Sequence, residues 1–153
     1  MKSVISLLLC VCIMFSLVAC GAKERPFVLE EGAYTVSFDL SGVAVKGQLN
    51  YKSKTDMNFT VSEPENLNGV SFSESEIKSD DININYSGLK AQSPVYLLLS
   101  IMADVSEKEI LVPYKEGFIF EGVASTVGYK INFDCENAKI LSIETEKFIY
   151  IFE

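Results

Sequence analysis

Apolar and polar residues alternate with a period of two along most of this chain, the pattern of strands with one face buried. Tyr34, Val36, Phe38 and Leu40 lie on one side of a run whose other side is Thr35, Ser37 and Asp39. Val43, Val45, Gly47, Leu49 and Tyr51 alternate with Lys46, Gln48 and Asn50, and Met57, Phe59 and Val61 follow. Val70 and Phe72 open a further strand that runs on toward Ile77, and Ile82, Ile84 and Tyr86 alternate with Asn83 and Asn85. Strands are also predicted over residues 109–114, 117–123, 127–133, 139–143 and 147–152. Turn-forming residues punctuate these runs at Ser41-Gly42 and at residues 53–56, 79–81, 115–117 and 135–137. Short connections favour antiparallel neighbours, so about nine or ten strands are expected in antiparallel order.

One segment departs from the alternation. Ser93-Pro94 has the chemistry of a helix start, with Ser as N-cap and Pro at the first helical position. Residues 95–105 then read as a helix, with Val95, Leu98, Leu99 and Met102 on one face and Leu97, Ile101 and Val105 making the rest apolar as well. A helix apolar nearly all round belongs in a core. Ten strands at about 4.8 Å spacing span roughly 40 Å or more, whereas a 12-residue helix is about 18 Å long and 10 Å across. Such a helix cannot cover a flat sheet of that width. The sheet is expected to curl around the helix into an incomplete barrel, to leave an apolar groove open, or both. The groove would be lined by Val36, Phe38, Leu49, Phe59, Phe72 and Phe120 from the sheet and by Leu98 and Met102 from the helix.

The N-terminus has a different logic. Lys2 is followed by an apolar run over residues 4–18 and by Leu17-Val18-Ala19-Cys20-Gly21. A basic start, an apolar middle and small residues at a cut compose a secretory signal. The run is short of the ~20 residues that a membrane-crossing helix needs. The last five residues look like the lipobox of bacterial lipoproteins. That resemblance implies a signal peptide over residues 1–19, cleavage before Cys20, a diacylglycerol thioether on the Cys20 sulfur, and an extracytoplasmic domain held on the cell membrane. Two acyl chains give stable anchoring where one is marginal, at roughly 0.8 kcal/mol per buried methylene. Residues 20–32 are expected to be the lipidated end and a tether, and residues 33–153 a single domain.

Removing residues 1–19 from 153 leaves 134, enough to bury a core without disulfide staples. Of the 13 basic residues only Lys2 falls in the signal, so 12 basic and 21 acidic residues remain, a net charge of −9. This charge repels phosphate backbones, and no nucleic-acid partner is expected. Cys10 and Cys12 leave with the signal and Cys20 is lipidated, so Cys135 is left alone and no intrachain disulfide is expected. Between Asp134 and Glu136 it reads as a small, quiet hydrophobe. The chain has no histidine, which removes Ser-His-Asp and Cys-His catalysis and His-ligated zinc. Glu74 and Glu76, expected on one strand face, could meet a cation or glycan but read as a solvated outer face, and Asp80-Asp81 with Asn83 and Asn85 lack calcium-loop spacing. No cofactor, metal or catalytic residue is expected.

A strand pair ending in Pro64, then Leu67-Asn68-Gly69-Val70, then Ile82-Asn83-Ile84-Asn85-Tyr86-Ser87-Gly88-Leu89 resembles small lipoproteins of low-GC Gram-positive bacteria. That group is similar in architecture to the LolA/LolB lipoprotein carriers. The resemblance implies an incomplete antiparallel β-barrel wrapped around helices, with an apolar cavity that in carriers holds acyl chains. The expected fold is therefore mainly β, α+β in class, a curved antiparallel sheet packed on one helix. The expected function is that of a non-enzymatic, membrane-anchored binding module for a lipid, acyl chain, lipopeptide or envelope component. The alternative is a structural or regulatory lipoprotein with a closed core that binds a protein partner.

Overall fold

The computed structural model describes residues 23–74, 76–79, 82–85 and 93–153. Its strands in chain order are β1 (Glu24–Phe27), β2 (Gly32–Leu40), β3 (Val43–Ser53), β4 (Asp56–Glu63), β5 (Ser71–Ser73), β6 (Glu76–Ser79), β7 (Ile82–Asn85), β8 (Ile110–Pro113), β9 (Ile119–Ala124), β10 (Val127–Asp134), β11 (Lys139–Thr145) and β12 (Ile149–Phe152). The helix α1 (Pro94–Ser106) lies between β7 and β8. Ten strands form one antiparallel sheet in the order β7-β6-β5-β4-β3-β2-β12-β11-β10-β9, and β1 pairs with β8 in a separate antiparallel ribbon. The molecule is thus mainly β and antiparallel, with one α-helix among the described residues, and the large sheet is not closed into a barrel.

The ten strands of the sheet are not the ten that alternation picks out. The run from Val70 toward Ile77 breaks in two, because the Ser73 hydroxyl accepts the Glu76 N–H at 3.2 Å and turns the chain. Glu74 is therefore in the turn and Glu76 opens β6, so the two do not share a strand face. The residues 109–114 strand leaves the sheet and pairs instead with Glu24–Phe27, part of the stretch read as a tether. Phe27 and Ile110 are partners there, and Ile110 and Val112 are buried. Apolar burial on the inner face of so short a ribbon is what makes a strand of a segment that alternation alone leaves open.

Two close approaches shape the sheet. A Cβ on Gly47 would meet the Thr60 carbonyl oxygen at 2.4 Å, and one on Gly122 would meet the Tyr129 ring at 2.3 Å. Only glycine lets the neighbouring strand or ring come so near. The β2–β3 and β9–β10 hairpins turn through two residues with left-handed backbone, Ser41 (φ 55°) with Gly42 (φ 87°) and Ser125 (φ 49°) with Thr126 (φ 71°). Turns of this hand match the twist of the strands they join.

The core lies between the sheet and α1. Ser93 caps the helix as expected, its hydroxyl accepting the Tyr96 N–H, and Pro94 occupies the first turn. Val95, Leu97, Leu98, Leu99, Ile101, Met102 and Val105 are all buried, so the helix is enclosed on more than one side. It touches β4 and β5 near one end of the sheet order and β9 at the other. From β5 to β9 is seven strand steps, roughly 34 Å if flat, against a helix about 10 Å across. Contact at both ends requires the sheet to curl around the helix.

Candidate functional site

The residues expected to line a groove do converge on α1. Val36, Leu49, Phe59, Leu98 and Met102 are fully buried and Phe38 nearly so, while Phe72 and Phe120 are half-buried against the same cluster. Phe38 packs on Phe59 and on Tyr150, with ring centroids 6.0 and 5.5 Å apart. The space these side chains surround is occupied by the helix.

Two tyrosines fix that helix from the sheet. The Tyr150 hydroxyl donates to the Pro94 carbonyl at 2.7 Å, at the first turn. The Tyr129 hydroxyl donates to Asp104 Oδ2 at 2.5 Å, near the last turn. Asp104 also takes the Lys108 ammonium at 2.8 Å, and that ammonium lies 5.8 and 5.9 Å from the Phe120 and Tyr129 ring centres. Burial pushes the acidity of both tyrosines well below that of a free phenol; for Tyr129 the Asp104 carboxylate adds to the effect. Both hydroxyls are therefore donors throughout the ordinary pH range. These anchors are structural, and sequence reading misses them because their partners are 25 and 56 residues away.

Clefts open outside the core, and two of them adjoin α1 or the entry of the chain. One, of about 370 Å³, lies where the C-terminal half of α1 meets the β3–β4 and β9–β10 turns. Lys54, Glu74, Asp104, Glu107 and Ser125 line it, and Lys54 is ion-paired with Glu107. The other, of about 500 Å³, lies between the segment after β1 and the strands β2, β11 and β12, with Phe27, Leu29, Tyr34, Ile140, Leu141 and Phe152 among its lining. Sequence reading missed this cleft because Phe27, Val28 and Leu29 of its apolar wall fall in residues 20–32, taken as tether. The apolar run Phe27-Val28-Leu29 is the signal that could have found it.

Cys135 is buried, and its thiol donates to the Lys115 carbonyl at 2.9 Å. Among the described residues no three His, Cys, Asp or Glu side chains are grouped to hold a metal ion, and no helix is long and apolar enough to cross a membrane. Cys20 and the residues before it lie outside the described residues, as do Asp80, Asp81, Tyr86, Gly88 and Leu89. Comparisons with protein-family models, with curated proteins and with solved structures give no match.

Proposed function

We propose that this chain is a lipid-anchored extracytoplasmic protein of the bacterial cell envelope, held on the membrane by acyl groups on Cys20. Its domain acts without catalysis, as a binding module with a closed core whose partner is a protein component of the envelope. The observation that carries this reading is the filled interior. Leu98, Ile101 and Met102 are fully buried against Val36, Leu49 and Phe59, leaving binding to the outer surfaces. The likeness to LolA/LolB carriers is proposed for architecture alone, supported by an open antiparallel sheet curled round a buried helix.

The lipobox supports the anchor. Cys20→Ala should abolish incorporation of labelled fatty acid and leave an uncut or released chain, read by labelling and membrane fractionation. Unchanged labelling in that variant sinks the anchor.

A second reading, an apolar ligand, is favoured by the cleft beside Phe27, Leu29 and Phe152. Native mass spectrometry and displacement of a fluorescent fatty acid on residues 21–153, which contain every described strand and helix, separate the two. The closed-core reading expects no bound lipid and no displacement. Retained lipid, lost on Leu29→Glu, would transfer the function to this cleft.

A further inference from the structure

The end of the domain at which the chain enters the fold brings cations, an exposed tyrosine and an exposed leucine close to the proposed anchor. The Lys23 carbonyl accepts the Tyr114 N–H at 3.0 Å, so the chain is bonded to the fold from Lys23 onward. Only Gly21 and Ala22 stand between Lys23 and Cys20. Three Cα–Cα steps of 3.8 Å reach at most about 11 Å. An acylated Cys20 sulfur therefore holds Lys23 and Tyr114 within the headgroup layer or directly above it.

The side chains found there suit that position. Tyr114 is 55% exposed and Leu111, opposite Pro26 on the β1–β8 ribbon, is 46% exposed. The Arg25 guanidinium lies over the Tyr114 ring, 4.3 Å from its centre. Among the described residues Lys46, Lys52, Lys54, Lys78, Lys108 and Lys130 all form ion pairs. Lys23, Arg25 and Lys115 form none, as also holds for Lys139 and Lys147 on β11 and the turn after it, and the Arg25 Nε is a buried side-chain nitrogen without a hydrogen-bond partner. Lys23, Arg25 and Lys115 thus come together at this end, among the carboxylates of Glu24 and Glu116 and of the Asp134 and Glu136 that flank Cys135, whose thiol meets the Lys115 carbonyl. A ring with a polar tip, an exposed leucine and unpaired cations are the side chains that sit well at a lipid–water boundary.

We propose that the β1–β8 end, through Lys23, Arg25, Leu111, Tyr114 and Lys115, docks on the surface of the bilayer that holds Cys20 and fixes the orientation of the domain. The proposal rests on the anchor reading given above. Docked this way, the domain has one membrane-facing end, and the outer face of the ten-stranded sheet stays free for a partner.

The test uses the full lipidated chain in vesicles of phosphatidylcholine with phosphatidylglycerol. A fluorophore is placed on Leu111→Cys, Lys115→Cys or, as a control on a central strand, Gln48→Cys. A lipid carrying a headgroup-level quencher should quench positions 111 and 115 several-fold more than position 48. The variant Lys23→Glu/Lys115→Glu should cut the quenching at position 111 several-fold while the protein stays membrane-bound. Equal quenching at all three positions, or none at 111 and 115 in a protein whose intact mass shows acyl groups on Cys20, overturns the docking and leaves the anchor standing. An intact mass without acyl groups overturns both.

Discussion

Around α1 the large side chains have mates. Leu98 and Met102 are sealed between strands, and the helix is pinned by a tyrosine hydroxyl near each end. At the β1–β8 end, by contrast, Leu111 and Tyr114 are exposed, and Arg25 has a ring beneath it but forms no ion pair. One region is complete within the chain; the other leaves apolar and charged groups open at the surface. The lesson is that burial of a conspicuous apolar helix says little about where a protein of this shape binds. Function is better sought where groups that are usually satisfied are left open.

This contrast can be broken at its strongest point by cutting into the core. Leu98→Ala removes a fully buried side chain and should destabilise the domain by about 2–5 kcal/mol through lost burial and a cavity, read as the shift of the urea midpoint at constant slope. A loss well below that range, with acquired affinity for a fatty-acid probe, would mean that the interior opens and that the two regions are less different than their burial indicates.

A smaller effect is expected at the pins. Tyr129→Phe deletes the hydroxyl that donates to Asp104 while Lys108 still holds the carboxylate, so a loss of about 1–2 kcal/mol is expected. The same hydroxyls set an alkaline limit. Burial raises the folded-state pKa of Tyr129 and Tyr150 above the ordinary 10.0. Above that pH the unfolded chain sheds these protons while the folded one keeps them, so stability must fall as pH rises. The urea midpoint should be insensitive to these groups near neutrality and decline above about pH 10. Tyr150→Phe should flatten the decline; an unchanged slope would remove the tyrosines from the account.

The smallest effect belongs to the exposed end. Leu111→Ser should change stability by no more than about 0.5 kcal/mol, as surface substitutions do. Circular dichroism melts should superimpose with those of the parent. A large loss would show that Leu111 supports the ribbon, which would erase the contrast from the other side.

Much of the architecture was legible in the sequence because it is written locally. Alternation at Tyr34–Phe38 or Tyr129–Phe133 reports on its own strand, and Ser93-Pro94 marks the helix start without help from elsewhere. What escaped was non-local. β1 exists only because Ile110 and Val112, over eighty positions downstream, present a partner edge. The break between β5 and β6 is held by Ser73–Glu76 hydrogen bonds. Val36, Phe38, Leu49 and Phe59 share one buried cluster with the helix side chains. Counting strands and helices could not show that one helix fills the space, because the degree of curl is set by packing at both ends of the sheet. The apolar cleft and the entry-end cations were obscured by treating residues 20–32 as mere connection.

The order of strands bears on when the fold can be finished. β12 comes after every other strand in sequence, yet it lies in the middle of the sheet, between β2 and β11. Before it is in place, β2 to β7 form one patch of local hairpins and β9 to β11 another, with no hydrogen-bonded strand joining them. Such long-range closure is slow, because loop entropy is lost before any contact compensates. A chain built this way completes its sheet only when its final strand arrives, although α1 already touches both patches.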